Sequence, residues 1–554
     1  MRLELCESWV MTESPRNIDG LGHDELKALV VEVLEKFFRL KEENASLREE
    51  IARLKGLKGR PDIKPGKPSG MEQASHQKSS KGSRSSRRRG STRAKLKPEI
   101  RKIKVANVPA GSRFKGYESF LVQDVKMLVE CVLYRRERWE LPDCSTLLAP
   151  LPEGVTSHFG AELKRLALSL YHHGQTTVPR LFGMLRDFGI DISKRQLQRL
   201  LNRGHEAFHD EAREVLQAGL ETASWVSVDD TGARHKAQNG VCTQIGNDQF
   251  TAFTTTRYKS RLNFLEVLNA GDATHRLNEA ALRYMRLHKL PARVIDLLKA
   301  DPETCFADRA AFMAHLDRLG ITGLKAHPDP VRVASEGALW GNIKERGLLR
   351  NTVILSDGAG QFNVGIHAMC WVHAERLAHK LNTFTPDQLA AKEDIRSRIW
   401  ALYVGLKAYG EGPTPEAKAE LSQRFDTIFS TKTCFSTLNG LLKRLKAHKS
   451  ELLMVLDRPE TPLNTNGSEN CIRAPVTRRK VSGGTRSDQG RDCRDTFLSL
   501  MKTCAKRGIR FWDYFGDRLK VPGAPSVPRL ADLVRRASSE CAEAVATREL
   551  RLSG

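Results

Sequence analysis

The stretch WVSVDD, residues 225–230, is the one from which the fold can be worked out. Apolar and small residues fill its first four positions and Asp229 and Asp230 end it, which is typical of a strand that runs to the edge of a sheet. CTQIGND and QFTAFTTT follow and are predicted to be its hairpin neighbours, with a turn at residues 246–248. Further on, NTVILSDG is another short apolar strand ending in an acid, Asp357. This part of the chain is therefore predicted to be α/β.

A third acid occurs alone among cations in NTNGSENCIRAPVTRRK, residues 464–480. Glu469 lies at the start of a predicted helix, for which Asn466 or Ser468 is the expected N-cap. An i,i+4 ion pair with Arg473 is the simplest explanation of the lone carboxylate. The other explanation is a metal ligand placed where a polyanion binds, and the two strand-end acids favour it.

The carboxylates of Asp229, Asp357 and Glu469 are predicted to converge, because neighbouring strands deliver their terminal side chains to one edge of a sheet. Three such carboxylates repel one another unless a cation holds them together. Mg²⁺ prefers oxygen ligands and is usually bound by few carboxylates together with substrate phosphate. Two Mg²⁺ or Mn²⁺ ions could stabilise the attacking and leaving oxygens of a phosphodiester displacement. A strand-end aspartate is also a common turn residue, so each acid alone has a purely structural explanation.

The composition predicts a polyanionic partner. The 554 residues carry a formal net charge of +24, which favours nucleic acid first and an anionic membrane surface second. No apolar run is long enough for a membrane span, and the N-terminus lacks the plan of a signal peptide. Eleven scattered cysteines without a CxxC pair are typical of a reducing compartment. We therefore expect a multidomain, cytoplasmic protein.

An N-terminal segment carries a heptad pattern. Apolar residues recur in alternating steps of four and three, which predicts a coiled coil over about residues 22–56. The d positions are Leu26, Val33, Leu40, Leu47 and Leu54, and the a positions are Val30, Phe37, Asn44 and Ile51. A buried Asn44 would fix the register and favour two strands. The pattern favours a homodimer or larger assembly over a helix packed on its own domain.

A basic segment follows at residues 57–110. Its central part, KSSKGSRSSRRRGSTRAKLK, contains no acid and too few apolar residues to fold alone. We expect a disordered, flexible arm that binds DNA phosphates through cations such as Arg87, Arg88 and Arg89.

Residues 111–220 are predicted to be a helical DNA-binding region. Within it, residues 176–202 have the plan of a helix-turn-helix. Gly189 would make the turn and Ser193 would cap the second helix. The side chains that this helix would present to the major groove are Lys194, Arg195, Gln198 and Arg199. A helical hairpin that binds nothing is the alternative.

Other polar residues near the acids in sequence are candidates for metal or phosphate binding. Cys370 and His373 form a CxxH pair, but zinc normally takes four ligands and no second pair is clear, so packing is favoured over zinc. His235 is expected to make a local polar contact. The predicted phosphate contacts beside Glu469 are Arg473, Arg479 and Lys480.

These segments together resemble the DDE transposases of the IS66 insertion-sequence family. DDTGARH is similar to the family's first-aspartate motif, and ILSDGAGQF followed by CWVHAERL is similar to its second-aspartate block. NTNGSENCIRAPVTRRK is similar to the third block. The helix-turn-helix, leucine-zipper segment and basic linker match as well, so the resemblance covers most of the chain.

The resemblance implies an RNase H-like α/β catalytic core over residues 221–515. A helical insertion at about residues 375–455 and a C-terminal tail at residues 516–554 complete this organisation. The expected fold class is thus multidomain α and α/β, with a coiled coil, a helical DNA-binding region and the catalytic core.

Residue by residue, the resemblance gives three catalytic acids that also bind metal. Asp229, Asp357 and Glu469 match the family's first, second and third acids. Asp230 takes the place of the Glu in the family's Asp-Glu-Thr triplet, so it is the alternative first acid. The DNA substrates would be the inverted repeats of the element and its target.

Two features depart from the family pattern. Many members carry a cysteine-rich, zinc-finger-like segment after the zipper, whereas this chain has no cysteine between Cys6 and Cys131. The stretch between the two aspartates is long and holds an extra helical piece at about residues 277–349. The chain is therefore expected to be a divergent member.

The predicted function is that of an insertion-sequence transposase that cuts DNA at the element ends and joins the ends to target DNA. Accessory proteins encoded by the same element are potential partners. Two alternatives stay open: a non-catalytic, sequence-specific DNA-binding regulator, and an RNase H-like nuclease without strand transfer.

Overall fold

The computed structural model describes residues 22, 24, 27–40, 99–107, 109–122, 124–125, 127–152, 155 and 157–540. Two compact units divide the chain: the first contains Met1–Ala74 and Trp371–Pro459, and the second contains Ser75–Cys370 and Glu460–Gly554. The coiled-coil prediction beyond residue 40 and the arm with Arg87, Arg88 and Arg89 lie outside the described residues.

The strands of the described residues form one main sheet and two small hairpins. They are β1 Arg138–Glu140, β2 Thr146–Leu148, β3 Trp225–His235, β4 Gln238–Gly246, β5 Thr251–Thr256, β6 His275–Arg276, β7 Cys305–Phe306, β8 Val353–Ser356 and β9 Ile366–Met369. The main sheet has the order β5-β4-β3-β8-β9. Strands β3, β4 and β5 are antiparallel neighbours, whereas β8 and β9 run parallel to β3. The predicted combination of helical and α/β regions is confirmed, with a mixed sheet.

Helices make up most of the rest of the described chain. They are α1 27–40, α2 Ala161–Leu168, α3 Val178–Asp187, α4 Lys194–Asn202, α5 Glu206–Thr222, α6 Arg261–Leu268, α7 Glu279–Leu287, α8 Ala292–Ala300, α9 Arg309–Arg318, α10 Pro330–Glu345, α11 Trp371–His379, α12 Pro386–Glu411, α13 Pro415–Phe429, α14 Ser436–Ala447, α15 Lys449–Leu452, α16 Met454–Asp457, α17 Asn466–Ser482, α18 Asp488–Lys506, α19 Phe511–Arg518 and α20 530–540. A π-helical turn, Ser169–His173, extends α2. No described helix combines the length and apolar character needed to cross a bilayer.

Helix α18 covers β5, which is an edge strand of the main sheet. Three backbone N–H groups of β5 donate hydrogen bonds to side chains of α18. They are Thr251 to Thr503 Oγ1 at 3.1 Å, Phe253 to Ser499 Oγ at 2.8 Å and Thr255 to Asp495 Oδ2 at 2.6 Å. Four residues of helix rise about 6 Å and two residues of strand about 6.7 Å, so the two repeats nearly match. The helix therefore pairs with the N–H groups that an open edge would expose.

Asp495, at one end of this contact, makes the stability of the second unit depend on pH. Burial raises the pKa of its carboxyl to about 6, although Arg494 and two hydrogen bonds from Thr255 lower it. A raised pKa in the folded state means that the folded chain binds this proton more tightly than the unfolded chain. The contribution is fully present below about pH 4 and is lost as pH rises through about 6, a change of about 2–3 kcal/mol.

We expect Asp495→Asn to raise the melting temperature at pH 8 and to leave it nearly unchanged at pH 4. The amide can still accept from the N–H of Thr255 and can donate to its hydroxyl, so only the charge is lost. Thermal unfolding of both proteins between pH 4 and 8 measures this, because the difference between them isolates residue 495. A difference that stays constant with pH would contradict the assignment.

The helical hairpin α3–α4 has the features that the sequence predicts. Thr177 is the N-cap residue of α3, and Gly189 adopts a φ of 84° in the turn. Ser193 caps α4 and forms a capping box with Gln196. The exposed side chains of α4 include Lys194, Arg195, Gln198 and Arg199.

Helices occupy only the later part of the predicted helical region, residues 111–220. Within this range the described residues before Ala161 form extended chain and the β1–β2 hairpin, and the helices begin with α2. Phe120, for example, is 92% exposed. An apolar face stabilises a helix only when it packs against something, and isolated helices are marginal in water.

Part of the predicted C-terminal tail, residues 516–554, packs into the second unit. Leu530 and Val534, on α20, are fully buried in the core of the second unit. The N–H of Leu530 donates to the buried carboxylate of Glu211 at 3.1 Å, and Arg518 binds the same carboxylate at 2.8 Å. Spacing of four between the apolar residues is the helical signal that the charged composition concealed.

There are two other helical regions, one between β5 and β8 in the sequence and one after β9. Helices α7–α10 lie in the stretch at about residues 277–349 and enclose a small apolar core of their own. Helices α11–α16 belong to the first unit, where Trp371 Nε1 donates to the carbonyl of Leu452 at 2.7 Å. The helical insertion expected at about residues 375–455 falls within this unit.

Candidate functional site

Asp229 and Asp357 lie at matching positions of two neighbouring parallel strands. Asp357 directly follows β8, as predicted, but β3 continues to His235, so the prediction that this strand ends at Asp229 and Asp230 is wrong. The register of β3 and β8 pairs Ser227 with Leu355, and each aspartate follows two residues later. Neighbouring strands lie about 4.8 Å apart, and residues two apart on a strand share a face. The register therefore places both half-buried aspartates side by side, just beyond the last parallel pair of β3 and β8.

Local hydrogen bonds orient both carboxylates. Asp229 Oδ1 accepts from the N–H of Asp230 at 2.7 Å, and Asp357 Oδ1 accepts from the N–H of Ala359 at 2.9 Å. Both bonds are made within two residues of the acid, so the local backbone, strand β3 for Asp229 and the loop after β8 for Asp357, sets the direction of each side chain.

Asp230 lies on the other face of β3 and is held by protein partners. Its Oδ1 accepts from Lys259 Nζ at 2.9 Å and its Oδ2 accepts from Gln361 Nε2 at 2.8 Å. Gln361 belongs to the loop that begins with Asp357. This bond therefore ties the second-aspartate loop to the strand of Asp229.

Helix α17 packs on the face of β3 that carries Asp229. Ser468 Oγ donates to Ser227 Oγ at 2.6 Å, and Ser227 Oγ donates to the carbonyl of Gly246 at 3.2 Å. Both serines are buried. Because Ser227 shares its face with Asp229 and Ser468 precedes Glu469, the contact ties the start of α17 to the strand of the first acid.

The expected N-cap of α17 was wrong. The helix begins at Asn466, and the N-cap residue is Thr465, which makes no side-chain capping bond. Its hydroxyl instead donates to Cys370 Sγ at 3.5 Å. The hydroxyl of Ser468 is used by Ser227, so tertiary contacts override local capping at this helix start. Pro475 lies inside the helix without ending it.

The donor set of the three acids suits a divalent cation. Asp229, Asp357 and Glu469 supply carboxylate oxygens, which are the ligands that Mg²⁺ and Mn²⁺ prefer. All three residues are only partly buried, so a cation and a phosphate could reach them.

The cations that follow Glu469 on α17 differ in their surroundings. Arg473 and Lys480 are exposed and Arg479 is half-buried. Arg478 is buried: its Nη1 donates to the carbonyl of Tyr171 at 2.7 Å, and its guanidinium lies 4.2 Å from the centre of the Tyr171 ring. Arg478 is thus a packing residue, whereas its neighbours are open to an anion.

His235 makes a local polar contact, as expected. Its Nδ1 lies 2.8 Å from Thr485 Oγ1 and its Nε2 lies 3.0 Å from Asp488 Oδ1. Hydrogen bonds from Lys236 and His235 lower the pKa of Asp488 to about 2. These contacts join the tip of the β3–β4 hairpin to the loop after α17.

Cys370 and His373 belong to different units, Cys370 to the second and His373 to the first. Cys370 is buried at the end of β9, where it accepts the hydrogen bond from Thr465. His373 is partly buried in the first turn of α11. A zinc role for the pair stays untested.

Within the described part of the chain, Asp301, Glu303 and His315 place potential ligand atoms within 4.8 Å of one another. Arg318 Nη1 donates to Asp301 at 2.8 Å and its Nη2 to Glu303 at 3.0 Å, while Nη2 lies 2.8 Å from His315 Nδ1. The arginine already neutralises these acids, so this group is a structural ion-pair network.

The comparisons with known proteins bear on the same segments. Residues 349–492 match the family model described as transposase IS66 family. This range contains Asp357 and Glu469. The uncharacterized protein y4jO of Sinorhizobium fredii is 46% identical over 320 residues, which cover 58% of this chain and 99% of that protein.

The family match, in a strongly basic chain with aspartates on neighbouring strands, defines the class of protein as a transposase. Transposases act on DNA with divalent metal. The chain belongs to the IS66 family of transposases.

Proposed function

We propose that this transposase is a DDE enzyme whose catalytic acids and metal ligands are Asp229, Asp357 and Glu469. The observation that carries the proposal is the placement of the three acids. Register aligns the two aspartates on neighbouring strands, and the Ser468–Ser227 bond ties the helix of the glutamate to the same face. Asp230 is engaged on the opposite face, which favours Asp229 as the first acid.

The main sheet supports an RNase H-like core. Three antiparallel strands followed by two strands parallel to the first, in the order β5-β4-β3-β8-β9, are what that fold requires. The first acid lies on the central strand, the second follows its parallel neighbour, and the third lies on α17, which packs on the central strand. We assign this core to the second unit, interrupted by the helices of the first.

The chemistry proposed for this site is in-line phosphodiester displacement. A water oxygen attacks the phosphorus at the element end, the P–O3′ bond breaks, and a free 3′-hydroxyl and a 5′-phosphate result. In the second step that 3′-oxygen attacks a target phosphorus, and the target's own 3′-hydroxyl leaves. Bound Mg²⁺ or Mn²⁺, with two ions expected, would stabilise charge on the attacking and leaving oxygens.

In this chemistry the side chains of the protein would position the metal ions and neutralise the charge of the DNA phosphates. The three carboxylates fix where the cations sit relative to the scissile phosphate. Arg473, Arg479 and Lys480 follow the third acid and would bind the flanking phosphates, because they are the accessible cations of α17.

DNA recognition is assigned to the α3–α4 hairpin and the basic arm. Four of the exposed polar side chains of α4, namely Lys194, Arg195, Gln198 and Arg199, would enter the major groove as part of a helix-turn-helix. The phosphate contacts of the arm would add affinity independent of sequence.

Pairing of two protomers is assigned to the N-terminal coiled coil. In the described helix α1, Val30, Val33, Phe37 and Leu40 are between 51 and 58% exposed. These are the predicted a and d positions, and a second copy of the helix would cover them. A dimer could hold both element ends together, with accessory proteins of the element as further partners.

The purified protein, with Mg²⁺ and a duplex carrying the inverted repeats that flank its gene, is expected to nick the repeat ends and join them to a second duplex. Sequencing gels that resolve nicked and joined strands measure both steps. Tight binding without nicking would support a non-catalytic regulator. Nicking without joined product would support an RNase H-like nuclease.

A further inference from the structure

Two buried amide side chains near the proposed acids have polar atoms without a hydrogen-bond partner among the described residues. Asn466, the first residue of α17, is 9% exposed, and neither Oδ1 nor Nδ2 is bonded. Gln244 is 1% exposed, and its Oε1 has no partner. The two residues come from different elements, so one misplaced side chain does not explain both.

Both amides belong to the surroundings of the acids. Gln244 is the cross-strand partner of Asp229, so the two side chains share a face of the sheet. Asn466 precedes Glu469 by three residues and Arg473 by seven, which places all three on one face of α17. The Ser468–Ser227 contact connects these elements.

Leaving these groups unpaired is costly. A buried donor or acceptor without a partner costs about 1–3 kcal/mol, and Asn466 has one of each. Such groups in a folded protein call for an explanation, and a ligand that pairs with them is one. The start of α17 adds backbone N–H groups and the positive end of a helix dipole, which favour an anion.

We propose that Asn466 is a further catalytic residue that contacts the scissile phosphate, a role that rests on the proposed function. Its Nδ2 donates to a non-bridging phosphate oxygen, and its Oδ1 accepts a hydrogen bond from the attacking water. The amide supplies both a donor and an acceptor and carries no charge. It therefore orients water and phosphate together without adding repulsion to a site that already holds three carboxylates. Gln244 Oε1 would accept from water on the floor of the same site.

The test compares Asn466→Ala with Asn470→Ala, a matched control that removes an exposed amide from the next turn of the same helix. We expect Asn466→Ala to lower the cleavage rate of bound DNA by about 100-fold, the cost typical of one lost transition-state donor. The melting temperature of the DNA-free protein should stay unchanged or rise, because the variant breaks no bond within the chain, whereas DNA affinity should fall slightly with the loss of one phosphate contact. Asn470→Ala should match wild type in all three measurements.

Two outcomes would overturn the proposal. Cleavage by Asn466→Ala at the wild-type rate would show that the amide contributes nothing to the reaction. A lower rate together with a lower melting temperature would show a structural role.

A second measurement separates this proposal from the proposed function. If the wild type binds DNA but cuts nothing, the enzyme assignment fails, and the increase in melting temperature given by inverted-repeat duplex with Ca²⁺ decides the role of Asn466. A smaller increase for Asn466→Ala than for Asn470→Ala would support phosphate contact, and equal increases would exclude it.

Discussion

Glu469→Gln is expected to reduce DNA strand cleavage by about 1,000-fold or more, a loss of the size seen when one member of a catalytic unit is removed. The glutamine keeps the size of the side chain and its place on α17 but loses the negative charge that a divalent cation requires. Because Ser468 still bonds to Ser227, the helix should keep its position on the sheet.

Binding of the inverted repeats should survive this substitution. Removing a carboxylate from beside DNA phosphates lowers repulsion, so affinity should stay the same or increase slightly. Cleavage assays, filter-binding titrations and Mn²⁺ titrations followed by electron paramagnetic resonance measure the three quantities. Asp357→Ala should lose cleavage and Mn²⁺ affinity in the same way.

Asp492→Asn is a suitable control, because it removes an exposed acid from α18, the next helix along the chain. It should cleave at the wild-type rate. Wild-type cleavage by Glu469→Gln would mean that the carboxylate is only the partner of Arg473. Loss of DNA binding and cleavage together would mean that the substitution disturbs the fold.

The sequence predicted the strands of the main sheet well because each is encoded locally. Apolar residues define β8 and the first half of β3, and Asp357 marks the end of β8, whereas β3 continues past Asp229 and Asp230 to His235. The cap at Ser193 was equally predictable, because a capping box needs only residues three apart.

The errors arose where distant contacts decide the structure. Thr465 and Ser468 have the residue types of a helix cap, but Cys370 and Ser227 take their hydroxyl groups. Val534 is buried only because the fold brings α20 back to the core. Nothing in the local sequence carries that information.

The candidate site shows the same division. Its acids could be found from the sequence, since strand ends and a lone glutamate are visible there. The unpaired amides of Gln244 and Asn466 could not, because burial without a partner is a property of the folded chain. Asn466 is visible in the sequence three residues before Glu469, but its residue type alone predicts a helix cap.

Asp229→Asn and Asp230→Asn are expected to have very different effects although the residues are adjacent. Asp229→Asn should lower cleavage by about 1,000-fold and weaken Mn²⁺ binding, since it neutralises a proposed ligand. Asp230→Asn should lower cleavage by less than about tenfold, the cost of disturbing a supporting contact. Its amide oxygen can still accept from Gln361, so the loop that begins with Asp357 stays attached to β3.

The double variant Asp230→Asn with Lys259→Met gives the control for this pair. Asp230→Asn alone leaves the ammonium of Lys259 without its carboxylate, and replacing both residues removes that imbalance. The double variant should therefore melt at a temperature closer to wild type than Asp230→Asn does, and it should still bind Mn²⁺. If instead Asp230→Asn abolishes cleavage and Mn²⁺ binding while Asp229→Asn retains both, the first acid is Asp230. The strand would then present its opposite face to the metal, and the alignment of Asp229 with Asp357 would have no catalytic meaning.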